Sequence, residues 1–211
     1  MKRKKGSLFV MSGPSGSGKT TLCNKLCESV PRMRHSVSYT TRAPRPGEIN
    51  NVHYSFVDKD TFQTMIADGV FVEWAEVHGN YYGTSKKRIE ELADAGMDAV
   101  LDIDVQGARQ IKRDLSSAPG GCVCIFILPP SMEVLRKRLV ERMSDPDEVI
   151  GIRLKNAIME IREYKSYDYV IVNDIMEVAF KELVSIVEAE RASVKRIDHE
   201  WIQKNFLEEE V

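Results

Sequence analysis

The sequence predicts an α/β fold in which helices cover both faces of a parallel central sheet. Two observations support this prediction. Short apolar runs, typical of buried strands, alternate along the chain with longer segments whose apolar residues recur every three or four positions. A glycine-rich turn also joins the first apolar run to the first helical segment. Because strands that alternate with helices usually pair in parallel, we expect three layers.

Composition and charge narrow the classes of protein that the chain can represent. Its 211 residues are 43% hydrophobic and 29% charged, which is ordinary for a globular protein and unlike a disordered or collagen-like chain. The 30 basic and 32 acidic residues leave a net charge of −2, whereas proteins that bind DNA or RNA are usually basic. We therefore expect small-molecule partners and no nucleic acid.

Apolar runs and cysteines point to a cytoplasmic chain without a membrane partner. The longest unbroken apolar run, Cys122–Leu128, is far too short to span a membrane. Only the four apolar residues Leu8–Met11 follow the basic start of the chain, so no secretory signal is expected. The two-residue gap of zinc and redox motifs is absent, and reduced core residues are predicted at Cys23, Cys27, Cys122 and Cys124.

The chain begins with a predicted strand and helix. Leu8–Met11 has the pattern of a buried strand. A helix is predicted from Lys19, with Leu22 and Leu26 on one face, and Pro31 ends it.

Residues 35–88 have a different pattern, because they are aromatic and rich in turn residues. Turns are predicted at Thr41–Gly47 and Gly79–Gly83, and one helix is predicted over Lys59–Ala67. The segment is therefore predicted to be a lobe of small strands inserted in the larger α/β frame.

Regular alternation of strands and helices returns after this lobe. Ser85 is the predicted N-cap of a helix that ends at Gly96. Strands are predicted over Ala99–Ile103, 122–128 and 169–172. Three more helices are predicted: one after Pro129–Ser131, one after a turn at Ser144–Asp147 with Leu154, Ile158 and Ile161 on one face, and one carrying Phe180, Leu183, Val184 and Val187.

The glycine-rich turn fits the pattern of a phosphate-binding loop. Gly13–Thr20 reads GPSGSGKT and matches G-x-x-x-x-G-K-[ST]. In such loops the backbone N–H groups and the positive end of the next helix face the phosphates, Lys19 reaches the β- and γ-phosphates, and Thr20 ligates Mg²⁺. Asp102 follows the apolar Ala99–Leu101, as expected of the second magnesium ligand. The sequence thus predicts a three-layer P-loop NTPase fold.

A second phosphate site is indicated within the lobe. Arg42 and Arg45 lie three residues apart on a proline-stiffened loop, and planar guanidinium groups suit a phosphate. Tyr54 and Tyr82 can add phenol donors. A solvated basic loop would show the same pattern, so these residues alone leave both interpretations open.

The motifs taken together resemble those of the guanylate kinase family over nearly the whole chain. The resemblance implies transfer of a phosphoryl group from ATP to GMP, which gives ADP and GDP, with Mg²⁺ as cofactor. The matching segments, in order, are Gly13–Thr20, Thr40–Glu48, Phe71–Ala75, Gly79–Gly83, Leu101–Gly107, Pro129–Ser131 and Val170–Asp174.

The resemblance also implies roles for individual residues. ATP would be bound by Gly13, Pro14, Ser15, Gly16, Ser17, Gly18, Lys19, Thr20, Thr21 and Arg138. The phosphate of GMP would be held by Arg42, Arg45, Tyr54 and Tyr82, and its base by Ser38, Glu73, Thr84 and Asp104. The chemistry of Glu73 and Asp104 agrees with this, since carboxylates accept from the N1–H and 2-amino donors of guanine, which adenine does not offer.

A lid over residues 131–158 is implied next, with arginines that close over the phosphates. Catalysis would depend on Lys19, Asp102, Arg142 and Arg153. This sequence departs from the family pattern at three positions: Glu141 and Met143 flank Arg142 where glycines are common, and Ile152 precedes Arg153 where another arginine is common. The core would comprise residues 1–34, 89–130 and 159–211, and no motif is evident after Ala192.

Two alternatives to this enzyme remain at the level of the sequence. A non-catalytic protein-binding module is one, because scaffold proteins carry guanylate-kinase-like domains. Lys19, Thr20 and Asp102 argue against it, and calorimetry with ATP and Mg²⁺ would separate the two. The other is a related kinase with a different phosphorylated acceptor. Glu73 and Asp104 argue for guanine, and a panel of acceptors would decide.

Overall fold

The computed structural model describes residues 5–77, 79–115, 121–142 and 147–207. The strands are β1 (Leu8–Ser12), β2 (Met33–His35), β3 (Tyr39–Thr40), β4 (Ser55–Phe56), β5 (Phe71–Val77), β6 (Asn80–Ser85), β7 (Asp98–Asp102), β8 (Cys122–Leu128) and β9 (Tyr169–Val172). The helices are α1 (Lys19–Ser29), α2 (Lys59–Ala67), α3 (Lys86–Asp94), α4 (Val105–Leu115), α5 (Met132–Arg142), α6 (Asp147–Ile161), α7 (Met176–Ala192) and α8 (His199–Ile202).

A parallel sheet of five strands forms the centre of the fold, in the order β2-β7-β1-β8-β9. Its middle strand β1 is buried along its whole length. The register places Met11 opposite Asp102 and Ser12 opposite Phe126, so the three central strands end at the same edge. The chain therefore leaves β1 at the carboxyl edge of a parallel sheet, where ligands of α/β proteins usually bind.

Helices cover both faces of this sheet, as predicted. On one face Phe9 and Met11 pack with residues of α1 and α7, and on the other Leu8 and Val10 pack with residues that include Ile111 of α4. The alternation of side chains along β1 thus supplies two separate apolar layers.

A second sheet, in the order β4-β3-β6-β5, lies in the segment predicted to be a lobe. Strands β5 and β6 form an antiparallel hairpin, and α2 closes one face of this sheet. The fully buried ring of Phe62 stacks on Phe71 at 4.6 Å and on Tyr81 at 5.5 Å between ring centroids. The structure thus has the small strands and the single helix that the sequence predicts here. The turn predicted at Gly79–Gly83 is wrong beyond Gly79, because Asn80–Ser85 pairs with its neighbours as β6.

The structure corrects one predicted helix face and adds two elements. The predicted apolar face of α6 is wrong at Ile158, whose side chain is 45% exposed, because Leu154 and the smaller Ala157 make the contact with α5 instead. Strand β2 and helix α4 were not predicted. The turn predicted at Ser144–Asp147 lies outside the described residues, except for Asp147, which begins α6.

The segment after Ala192 forms short helical turns that end the described chain. In it the rings of Trp201 and Phe206 meet edge to face at 5.4 Å. Within the part of the chain that the structure describes, no helix is long and apolar enough to cross a bilayer.

Candidate active site

The glycine-rich loop connects β1 to α1 and is held tightly against its neighbours. Gly18 is the N-cap of α1 and has a φ of 92°, which side chains with a Cβ rarely adopt. A Cβ built on Gly18 would also lie 2.2 Å from the side-chain nitrogen of Asn173. Both conformation and space thus require glycine at the position that turns the chain into α1.

Lys19 lies over the loop that precedes it. Its ammonium group donates to the carbonyl oxygens of Gly13 and Pro14, at 2.6 and 3.2 Å. The residue is also the first of α1, whose N-terminus carries a partial positive charge. Two positive features therefore converge on the loop, as the binding of a polyanionic phosphate chain requires.

Thr20 and Asp102 meet at the carboxyl edge of the sheet, as the sequence predicts. The Thr20 hydroxyl donates to Oδ2 of Asp102 at 2.6 Å, although 82 residues separate them. Oxygen donors of this type suit Mg²⁺, which proteins usually hold through one or two side chains together with phosphates and waters. The donor set at this point therefore fits a magnesium ion.

A buried carboxyl group forms the centre of a second polar cluster, between β5, β6 and α4. Glu73 is only 4% exposed, its Oε1 accepts a hydrogen bond from the Thr84 hydroxyl, and that hydroxyl is 3.5 Å from the hydroxyl of Ser38. Burial raises the pKa of Glu73 to about 7, and the nearby charge of Asp104 adds to the effect. The structure thus brings together all four residues that were predicted to read the base.

Asp104 directly precedes α4 and lies near Glu73. Its Oδ1 accepts from the backbone N–H of Gly107 at 2.9 Å, and its Oδ2 accepts from the side chain of Gln106 at 3.2 Å. Sequence reasoning missed how α4 is fixed to the lobe: the side-chain amide of Gln110 exchanges two hydrogen bonds with the backbone of Trp74. Helix α4 therefore sets the distance between the two carboxyl groups.

Gly107 leaves the space that the Glu73 carboxyl group occupies. A Cβ on Gly107 would lie 2.4 Å from Oε2 of Glu73. We expect Gly107→Ala to displace this carboxyl group and to raise the KM of the substrate that binds there about tenfold. A hydrogen bond to a charged group contributes roughly 1.5–3 kcal/mol, so its loss is large enough for this effect.

The matched control for this substitution is Gly151→Ala in α6, where a Cβ would meet nothing within 4 Å. That change is expected to raise stability by about 0.5–1 kcal/mol through helix propensity alone. Steady-state kinetics and thermal melting of both variants make the measurement. An unchanged KM in Gly107→Ala would show that the position of Glu73 does not matter for binding.

The two lobe arginines are joined by an acidic residue that sequence reasoning left without a role. Glu48 accepts from the Arg42 guanidinium at 2.8 Å and from the backbone N–H of Arg45 at 2.7 Å. Arg42 also lies 5.5 Å from the ring centroid of Tyr54, which in turn lies 6.0 Å from that of Tyr82. Three of the four predicted phosphate-binding residues are thus adjacent, and the Arg45 side chain is exposed beside them.

Burial moves the pKa of one phenol at this cluster further above the physiological range. It raises the pKa of Tyr54 to about 12, so its hydroxyl remains a hydrogen-bond donor throughout the physiological range. A phenol donor next to a guanidinium group is suited to a phosphate oxygen.

The predicted lid arginines lie on α5 and α6. Arg138 donates to the backbone carbonyl of Asn173 at 3.0 Å, and the half-buried Arg153 lies one turn before Ala157 on α6. Arg142 is the last residue of α5, and its side chain lies outside the described residues.

The residues that depart from the family pattern in this region are described only in part. Glu141 is paired with Lys137 at 4.0 Å on the surface of α5, and Ile152 is 58% exposed on α6. Met143 is outside the described residues. The ion pair between two exposed side chains at i and i+4 adds little to stability.

The fold and this site together define a class of protein. A glycine-rich loop follows the central strand of a parallel sheet, and a strand-end carboxylate is bonded to the hydroxyl that follows the loop lysine. These are the features of a P-loop NTPase fold with a nucleotide site.

Comparison with known proteins then identifies the family within that class. The guanylate kinase family model matches residues 5–190. The guanylate kinase of Geobacter sulfurreducens is 53% identical over 195 residues, covering 92% of this chain and 94% of that protein, and the guanylate kinase of Geobacter metallireducens is 52% identical with the same coverage. The crystal structure of guanylate kinase from Anaplasma phagocytophilum superposes with a TM-score of 0.79 at 36% identity and covers 98% of each chain. The chain belongs to the guanylate kinase family.

Proposed function

We propose that this protein phosphorylates GMP with ATP, so that ATP and GMP give ADP and GDP. The family supports the reaction, and one observation in this chain supports the acceptor. Glu73 and Asp104 place two carboxyl groups beside each other at the second site, with the hydroxyls of Ser38 and Thr84 next to them. Guanine presents two adjacent donors, N1–H and the 2-amino group, that this arrangement can satisfy.

On the donor side, the loop Gly13–Thr20, with Thr21 and Arg138, binds ATP. Backbone N–H groups of the loop and the ammonium group of Lys19 hold its phosphates and neutralise charge on the phosphoryl group during transfer. Thr20 and Asp102 would hold Mg²⁺, which would neutralise negative charge on the phosphates when bound. Lys19 must then exchange its contacts with loop carbonyls for contacts with phosphate oxygens.

On the acceptor side, Arg42, Arg45, Tyr54 and Tyr82 clamp the phosphate of GMP. Glu48 keeps Arg42 in place by an ion pair, and the aromatic rings beside it restrict its movement. With the base held by Glu73 and the phosphate held by these residues, the attacking oxygen is oriented for in-line transfer.

Closure completes the site. We propose that residues 131–158 act as a lid and residues 35–88 as the GMP lobe on the remaining core, and that Arg142 and Arg153 approach the phosphates when the lid closes. Closure excludes water, which would otherwise accept the phosphoryl group. We further propose a cytoplasmic location, which suits the cysteines, since all four are free.

An ADP-release assay across GMP, dGMP, AMP, CMP and UMP tests the proposal. We expect GMP to be strongly preferred over AMP, CMP and UMP. The carboxyl groups of the site accept hydrogen bonds from the donors of guanine, and they would stay buried and unpaired if another base were bound. Preference for another nucleotide would contradict the assignment of the guanine site. If no acceptor is phosphorylated while ATP and Mg²⁺ still bind in calorimetry, the protein is not a kinase for these acceptors. Absence of ATP binding would favour a protein-binding module.

A further inference from the structure

The chain passes from the central sheet into the lobe at Val37. The backbone N–H of Ser36 donates to the carbonyl of Val100 in β7, at 3.0 Å. Two residues later, the carbonyl of Ser38 accepts from the backbone N–H of Ser55 in β4, at 2.9 Å. Ser36 is thus bonded to the central sheet and Ser38 to the lobe sheet, and Val37 lies between these two attachments.

The chain leaves the lobe where β6 runs into α3, and Arg88 lies in the first turn of that helix. Its backbone N–H donates to the hydroxyl of the N-cap residue Ser85, 3.4 Å away. Its side chain reaches back to the entry of the lobe, where Nη1 donates to the Val37 carbonyl at 2.6 Å, although 51 residues separate the two. One arginine therefore joins the segments by which the chain enters and leaves the lobe.

An aromatic ring restricts the movement of this guanidinium group. The central carbon of the Arg88 guanidinium lies 4.4 Å from the ring centroid of Tyr39 in β3, close enough for attraction between the cation and the π face. The Tyr39 ring in turn meets that of Phe71 edge to face, with 5.8 Å between the centroids. A planar guanidinium that stacks on a ring and donates to a carbonyl is held in one place and one orientation.

These contacts lie next to two hydroxyl groups of the candidate base site. Ser38 follows Val37 directly, and Thr84 lies in β6, just before the N-cap of α3. The two hydroxyl oxygens are 3.5 Å apart, and that of Thr84 donates to Glu73. Because the carbonyl of Val37 belongs to the peptide that joins it to Ser38, the bond from Arg88 fixes the direction in which the Ser38 side chain leaves the backbone.

We propose that Arg88 is a positioning residue for the base of the phosphoryl acceptor. It holds the Val37–Ser38 peptide at the boundary of lobe and core, so that the Ser38 hydroxyl stays beside Thr84 and Glu73. This inference rests on the proposed function, since it assigns guanine to this site. The effect of Arg88 on the acceptor is indirect and passes through Ser38.

The test is steady-state kinetics of Arg88→Met, whose side chain has a similar reach but neither charge nor donor. We expect the KM for GMP to rise about fivefold or more, with kcat and the KM for ATP within about twofold of the wild type, because only binding of the acceptor depends on Ser38. Arg88→Lys keeps the charge and a flexible donor but not the planar group, so its KM for GMP is expected to rise less, by about threefold.

A double-mutant cycle separates action through Ser38 from a general loosening of the lobe. In the Ser38→Ala background no hydroxyl is left to position, so adding Arg88→Met is expected to raise the KM for GMP by less than about twofold. A residue that only stabilised the lobe would raise this KM by the same factor in both backgrounds. If Arg88→Met does not fold, the cycle is run with Arg88→Lys, and its rise is expected to disappear in the Ser38→Ala background.

The matched control is Lys87→Met, a change at the neighbouring exposed lysine of α3 that also removes one positive charge. It is expected to leave kcat and both KM values as in the wild type. An unchanged KM for GMP in folded Arg88→Met, an equal rise for GMP and ATP, or the same rise in the Ser38→Ala background would each overturn the role of Arg88. A wild-type protein that does not phosphorylate GMP contradicts the proposed function instead.

Discussion

Lys19→Met is expected to lose about a hundredfold or more of kcat, while the affinity for GMP changes little. The ammonium group of Lys19 lies over the phosphate loop, within 3.2 Å of the carbonyls of Gly13 and Pro14. In the proposed transfer it would face the phosphoryl group, where negative charge is redistributed. Removing one preorganised electrostatic group of this kind typically costs about 10²–10³ in rate, or roughly 2.7–4 kcal/mol.

The measurement is steady-state kinetics with both substrates, together with GMP binding by calorimetry. Lys181→Met, a change at an exposed lysine of α7, is the matched control for loss of one positive charge. A Lys19→Met enzyme that keeps more than about a tenth of the wild-type kcat would fall outside the range expected for such a group and would remove Lys19 from the transfer step.

The frame of this fold could be predicted because its local signals agree with its tertiary structure. The buried run 122–128 and the strand 169–172 have the predicted bounds, and α2 spans the predicted Lys59–Ala67. Ser85 caps α3 by accepting from the N–H of Arg88, as its position before an apolar periodicity indicates.

Other elements could not be predicted, because tertiary contacts decide them. Strand β2 has three residues and exists only by pairing with β7. On α6, periodicity alone placed Ile158 in the core, but Leu135 and Leu139 of the neighbouring helix pack against Ala157 instead. A small residue that allows two helices to approach gives no hydrophobic signal of its own.

The candidate site shows the same division. The proximity of motif residues such as Thr20 and Asp102 could be predicted from the sequence, because a known loop type requires both. The contacts of residues that hold other groups in place could not be predicted. Gln110 and Asn173 bond to backbone atoms, and backbone partners leave no pattern in side-chain chemistry.

A missed residue on α6 illustrates the same limit. Burial raises the pKa of Glu160, and the positive charge of Lys19 opposes this rise, so the two side chains lie near each other. The sequence separation of 141 residues hides that proximity.

Glu73→Gln is expected to weaken GMP by about 2 kcal/mol or more, or roughly thirtyfold in kcat/KM, with AMP unchanged or slightly better. Gln has the same shape, and its Oε1 can still accept from Thr84, but its NH₂ group faces the donors of guanine. The preference for GMP over AMP should decrease mainly because kcat/KM for GMP falls, since Asp104 still disfavours adenine. The measurement is kcat/KM for GMP and AMP on both proteins, with ATP saturating.

The melting temperature of Glu73→Gln distinguishes a carboxyl group that binds substrate from one that stabilises the fold. The two roles predict changes of opposite sign in the melting temperature at pH 8. The pKa of Glu73 is raised from 4.5 to about 7 by burial, so the folded protein favours the protonated form. Its contribution to stability is complete below the unfolded pKa and is lost as the pH rises through about 7. At pH 8 the ligand-free protein therefore holds a buried charge at a cost of about 1–3 kcal/mol. Gln resembles the protonated form, so Glu73→Gln should melt at the same or a higher temperature at pH 8, and no higher at pH 5.

The affinity for GMP should depend on the same titration of Glu73. It should increase as the pH rises, whereas the contribution of Glu73 to stability decreases. In the proposed guanine site the base donates to the Glu73 carboxylate, so the KM for GMP in the wild type is expected to rise as the pH falls below about 7. The GMP phosphate, whose second pKa is about 6, contributes to this rise in both proteins. The part due to Glu73 is therefore the difference between the wild type and Glu73→Gln. If the variant melts lower at pH 8 and its GMP/AMP ratio is unmoved, Glu73 stabilises the lobe and does not read the base.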